Sequence, residues 1–244
     1  SRSSWSGPDL ATLLAPHCTV YNYDRRGRGE SGDALPFAVE REVEDIAALI
    51  AAAGGTACLY GHSSGAALAL EAAFRLGRRV QKLAIYDAPY DDDPAARPAW
   101  QQYLHQLTDY LAADRRGDAV ALFLHYLGVP AAHIDGTRHG PSWPVLEAIA
   151  PTLAYDHTAL LGEDRAVPIE RAAQISVPTL VLHGGASDPF MHATARALSQ
   201  ALPQATLRAL EGQQHDVDVA VLAPVLVAFF SADQRQSSTE RVLP

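Results

Sequence analysis

The chain has 244 residues, enough for one large α/β domain with an inserted subdomain rather than two independent domains. Hydrophobic residues make up 48% and charged residues 19%, which allows a sizeable core and excludes global disorder. A formal net charge of -9 argues against nucleic acid or an anionic membrane as the main partner and favours a neutral or apolar small-molecule substrate.

No run reaches the roughly 18 apolar residues needed to span a bilayer. Cys18 and Cys58 are the two cysteines, each at or in a run that reads as a buried strand. That usage suggests small buried side chains in a reducing, cytoplasmic setting, not a disulfide scaffold. The expected assembly is a monomer or homodimer.

In chain order, Cys18–Tyr23 is a β-branched and aromatic run that predicts a strand, followed by a Gly-rich turn over Arg25–Gly32. Val39–Ala53 places Val43, Ile46, Ala47 and Ile50 at helical spacing and stops at Gly54-Gly55. Ala57–Tyr60 predicts a short strand, Ser64–Leu76 an Ala/Leu-rich helix closed by Gly77, and Val80–Tyr86 another strand. Pro178–Leu182 and Thr206–Leu210 predict two more strands, and Val217–Phe230 a terminal helix.

Strands alternating with helices imply a mostly parallel sheet covered on both faces. Between Asp91 and Val177 the β signal disappears, with helices expected near Pro98–Ala113, Asp118–Leu127 and Ser142–Leu153. The expected organisation is therefore a core of residues 1–90 and 178–244, with 91–177 an all-helical cap or lid. Gln234 onward is polar and reads as a frayed tail.

The strongest local signal is Gly61-His62-Ser63-Ser64-Gly65, a G-x-S-x-G between a predicted strand and helix. Glycines on both sides let strand and helix approach closely, so that the Ser63 hydroxyl projects from a sharp, strained turn as a nucleophile. The Ser64 amide opens the helix and points where an oxyanion would form, aided by the helix dipole. A tight turn without chemistry is the competing reading.

Of the ten histidines, His215 follows the last predicted strand, where a neutral imidazole could take the Ser63 proton. Two carboxylates compete to orient it. Asp188 sits on the exit loop of the Pro178–His183 run, and Asp87 directly ends the Val80–Tyr86 strand. Asp188 is the first choice and Asp87 the alternative.

These residues resemble the α/β-hydrolase superfamily. Asp24-Arg25-Arg26-Gly27-Arg28-Gly29-Glu30-Ser31 is similar to the D-x-R-G-x-G-x-S segment of its small esterases, lactonases and cofactor-free haloperoxidases. Gly185-Ala186-Ser187-Asp188-Pro189 resembles its acid loop, and Gly212-Gln213-Gln214-His215 its histidine loop. The resemblance implies an α/β-hydrolase fold and a Ser63, Asp188, His215 triad with Ser64 in the oxyanion hole. It implies cleavage of an ester, thioester or lactone through an acyl-enzyme, with no metal and no organic cofactor. Perhydrolysis or haloperoxidase chemistry, carbon–carbon cleavage and a biosynthetic lyase or cyclase step are rival activities of such a site, and a non-catalytic small-molecule receptor is a further one.

The resemblance also implies that roughly 20–30 residues, a strand and its flanks, precede Ser1. Ser3-Ser4-Trp5 would then be the tail of the loop giving a second oxyanion amide. The strand before that loop would hold Cys18 and Cys58 roughly 9–10 Å apart, too far for a disulfide.

Several signals carry less. Arg25-Arg26-Gly27-Arg28-Gly29 lacks the Gly-Lys-Ser/Thr of a phosphate-binding loop and reads as a structural turn. Asp91-Asp92-Asp93 reads as a solvated capping cluster, and His133 and His139 lack metal-ligand spacing.

Overall fold

The structure, a computed structural model, describes residues 7–232. The Ser3-Ser4-Trp5 stretch and the polar run from Gln234 lie outside the described residues. The described residues divide into two compact units, the first of residues 7–23, 43–89 and 168–232, the second of Asp24–Glu42 and Tyr90–Val167.

The first unit is built on a four-stranded parallel sheet in the order β1 (Ala57–His62), β2 (Val80–Tyr86), β3 (Thr179–Gly184) and β4 (Ala205–Leu210). Val80–Tyr86 and Thr179–Gly184 carry the continuous apolar runs Leu83–Tyr86 and Leu180–Leu182, and these are the central strands, nearly all buried. Chains of β-branched and aliphatic residues without alternation suit a strand covered on both faces.

The helices that cover them are those the alternating pattern requires. Helix α3 (Ser64–Leu76) packs on β1 and β2, and α10 (Pro189–Ala201) packs on β3 and β4, with the short α9 (Ile169–Ala172) between them. On the other face α1 (Gly7–Leu14) and α11 (Val219–Ser231) pack together, where Leu10, Leu14, Leu222 and Leu226 bury against Ala84, Tyr86, Leu180 and Leu182. No helix of the described residues is long and apolar enough to cross a membrane.

Two sequence expectations change here. Among the described residues Cys18–Tyr23 joins no ladder, although its composition favours strand. A strand is defined by pairing with a neighbouring strand, and propensity alone does not supply that pairing. Cys18 is correspondingly exposed, not buried, and Tyr21 is half exposed; both cysteines are free thiols. Helix α2 (Val39–Ala52) matches the helix read over Val39–Ala53, whereas α1, α6 (Ala131–Arg138), α9 and α10 are additions to the pattern read from the sequence.

The second unit is all-helical. It holds α4 (Arg97–Ala112), α5 (Arg116–Tyr126), α6, α7 (Trp143–Ile149), α8 (Thr152–Ala154) and a π-helical turn over Tyr155–Leu161. Its limits differ from a single 91–177 insertion, because residues 24–42 belong with it and 168–177 do not. Buried charge explains the first difference. Arg25 bonds both Glu42 and Asp156, the latter at 2.8 Å, and Arg28 reaches the other Asp156 oxygen at 2.9 Å. Tyr155 adds its hydroxyl to Asp33 and stacks on Phe37 with ring centroids 4.0 Å apart. The Gly-rich turn is thus structural, tied to the π-turn by paired charges that would be costly to bury singly. The Asp91–Asp93 cluster is also spent locally: Asp91 pairs with Arg165 at 2.8 Å, Asp92 accepts from the Val167 amide, and Asp93 from that of Ala95.

His157, within the π-turn, is buried beside Trp100, Tyr103 and Phe123, with Nδ1 2.7 Å from the Tyr103 hydroxyl. Burial pushes its pKa down to about 4. An unfolded histidine titrates near ~6.5, so on acidification the unfolded chain takes up the proton first. The contribution of neutral His157 is therefore full above pH ~6.5 and lost as pH falls toward 4, on the order of 3 kcal/mol at most. Thermal midpoints measured from pH 7 to 4.5 should fall less steeply in His157→Gln than in the wild type; equal slopes would contradict this account.

Candidate active site

The parallel register brings four strand ends to one edge, with His62 opposite Tyr86, Tyr86 opposite Leu182, and Gly184 opposite Leu210. Each candidate residue follows one of these ends. This is the carboxyl edge, where open parallel sheets bind ligands.

Ser63 occupies the single residue between β1 and α3, with φ 56° and ψ -127°. A serine in this left-handed region is strained and persists only where its surroundings hold it. Its amide donates to the Tyr86 carbonyl at 3.0 Å, and its own carbonyl accepts from Ala66 at 2.8 Å. The side chain makes no helix-capping bond, unlike most serines at this position, so its hydroxyl is not spent on its own helix. Ser64 is the first residue of α3, at the positive end of the helix dipole.

The two motif glycines are not equivalent. A Cβ on Gly61 would overlap the Gly65 carbonyl and approach the Ala66 Cα to 2.7 Å, whereas one on Gly65 would meet open space. Gly61 alone permits the close crossing of strand and helix.

Asp87 follows β2 with φ 47° and is 1% exposed. Its Oδ1 accepts from the Gly184 amide at 3.2 Å, and its Oδ2 from the Ser187 hydroxyl at 2.6 Å. The same Oδ2 lies 3.3 Å from His215 Nδ1. A carboxylate in such a contact accepts, so Nδ1 carries the proton, and in the neutral form of the ring Nε2 presents a lone pair. Asp188, by contrast, precedes α10 at its N-terminus and is exposed, and among the described residues the carboxylate contact of His215 is with Asp87. Asp216 is exposed on the surface.

His215 rides on a loop after β4 that is tied to the other strand ends. The Gln213 carbonyl accepts from the Ala186 amide at 2.8 Å, that of Gln214 from the Tyr86 hydroxyl at 2.5 Å, and that of His215 from His62 Nε2 at 2.8 Å. The His62 and His215 rings lie 4.8 Å apart. Burial, with the neighbouring His215 second, lowers His62 to about 4, so at neutral pH it is an uncharged donor. Burial and the Asp87 charge raise the Tyr86 hydroxyl, which stays protonated. The sequence gives no role to His62 or Tyr86, and places Ser187 only within the loop that resembles the family's acid loop. The one available signal was that His62 fills the first variable position of G-x-S-x-G.

The sequence profile of the Alpha/beta hydrolase family matches residues 1–228. The chain belongs to this family. Among solved alpha/beta hydrolases, one from Sphaerobacter thermophilus is 47% identical, with a TM-score of 0.80 over 92% of this chain and 87% of that one. Another, from a Medee basin deep-sea metagenome, shares the fold at a TM-score of 0.68 and 14% identity, covering 93% of this chain and 83% of that one. A curated relative is RutD of Agrobacterium fabrum, whose name proposes a carbamate hydrolase. It is 25% identical over 220 residues, 84% of this chain and 79% of its own. Among the described residues of this alpha/beta hydrolase, no group of three His, Cys, Asp or Glu side chains is placed to hold a metal ion.

The glycine asymmetry gives a direct test. Gly61→Ala should cost about 1–3 kcal/mol or prevent folding, because the clash is with backbone. Gly65→Ala should stabilise slightly, by up to ~1 kcal/mol, since alanine favours helix. Urea unfolding of both variants checks the order, and an unaffected Gly61→Ala would contradict it.

Proposed function

We propose that this alpha/beta hydrolase cleaves an ester-type bond of a neutral or apolar small molecule through an acyl-enzyme. The observation that carries this reading is the strained, uncapped Ser63 at the same sheet edge as a His215 whose Nδ1 faces a buried carboxylate. Ser63 attacks the acyl carbon while His215 Nε2 takes its proton and then returns it to the leaving group. Ser64, at the helix start, supplies an amide to the oxyanion. Water, activated by His215 in reverse, releases the acid and restores Ser63.

For the orienting carboxylate we favour Asp87 over Asp188. Asp87 is buried, fixed at both oxygens and in contact with His215, and a carboxylate so held stabilises the imidazolium formed in the reaction. The substrate range includes esters, thioesters and lactones. The name given to RutD supports adding carbamates, whose acyl carbon is attacked in the same way. The chain's negative charge favours neutral substrates.

Turnover of p-nitrophenyl acyl esters of increasing chain length tests the proposal. Ser63→Ala should lose about 10⁴-fold or more in kcat. Asp87→Asn should lose on the order of 10³-fold, while Asp188→Asn stays within a few-fold. The reverse order would make Asp188 the acid. Failure of the wild type on every ester, with Ser63 still reactive, would favour perhydrolase, carbon–carbon hydrolase or lyase chemistry at the same residues.

A further inference from the structure

Three successive carbonyls of the His215 loop accept from donors on three different strand ends, and two of these donors are side chains, the half-buried His62 and the buried Tyr86. The two residues end β1 and β2 and are paired directly across the ladder. The His215 side chain has little else to fix it. It is 36% exposed, and its contact with Asp87 is long at 3.3 Å. Asp87 Oδ2 already receives a shorter bond, 2.6 Å, from Ser187. A ring so lightly held takes its position from its backbone, and the backbone is what His62 and Tyr86 grip.

We propose that His62 and Tyr86 are positioning residues for His215, each clamping one main-chain carbonyl so that the imidazole keeps its place beside Asp87, at the sheet edge that also carries Ser63. The inference rests on the reading of His215 as the base given above. Neither residue touches substrate in this scheme. Tyr86→Phe removes one oxygen and keeps the ring that packs in the core. His62→Phe removes a donor at similar size, and His62→Gln restores a side-chain N–H. Displacing a reacting group by about 1 Å can cost ~10²-fold in rate, so the loss should fall on kcat.

The test is steady-state hydrolysis of p-nitrophenyl acetate by the full chain and its variants, with thermal midpoints alongside. Tyr86→Phe and His62→Phe should each lower kcat about 10- to 100-fold, with KM within about twofold and midpoints within about 4 °C of the wild type. His62→Gln should recover most of the loss. Folded variants with wild-type kcat, or losses in KM alone, would overturn the proposal while leaving the Ser63 and His215 assignment intact. A wild type whose Ser63 neither turns over the ester nor reacts with a fluorophosphonate would overturn both. If His62→Phe does not fold, Tyr86→Phe decides alone.

Discussion

The first unit turns on one steric constraint, the crossing of β1 and α3 at Gly61. Only a residue without a Cβ lets the strand end run against the Gly65 carbonyl, and that crossing leaves a single residue, Ser63, to reverse the chain. The resulting positive φ is disfavoured for serine by roughly 1–3 kcal/mol. Bonds to its neighbours hold it there: the Ser63 amide on Tyr86, and the first turn of α3 on the Ser63 carbonyl. A fold that maintains this strain gains a hydroxyl lifted clear of its own helix.

The same edge shows how the sheet supplies accuracy to loops. Asp87, also at positive φ, is fastened through its amide to Leu182 and through its carboxylate to Gly184 and Ser187, all on or just after β3. The His215 loop is fastened from β1, β2 and the β3 exit. Each strand thus orients a group carried by another, and parallel register makes the arrangement possible. The second unit follows a different logic, in which paired charges and an aromatic cluster about His157 substitute for a sheet.

What could be read from the sequence divides along local and non-local physics. Val80–Tyr86 and Ser64–Leu76 have the limits their patterns suggested, because an apolar run and an alanine-rich stretch closed by glycine are local statements. The G-x-S-x-G turn was legible for the same reason, although only one of its outer glycines meets a steric demand. Cys18–Tyr23 failed as a strand because pairing is not encoded in a run's own composition. The link between Arg25 and Asp156 spans 131 positions and left no periodic trace, so residues 24–42 looked like core. Asp188 resembled a family acid loop, but what distinguishes Asp87 is burial and its contacts with Gly184, Ser187 and His215, none visible until the strands are side by side.

The central claim is that Ser63 is an activated nucleophile. Intact mass after exposure to a fluorophosphonate, followed by peptide mapping, tests it most directly. The account predicts a single phosphonyl adduct on the peptide containing Ser63, absent from Ser63→Ala and strongly slowed in His215→Ala. An unmodified wild type, or an adduct on any other residue, would contradict it.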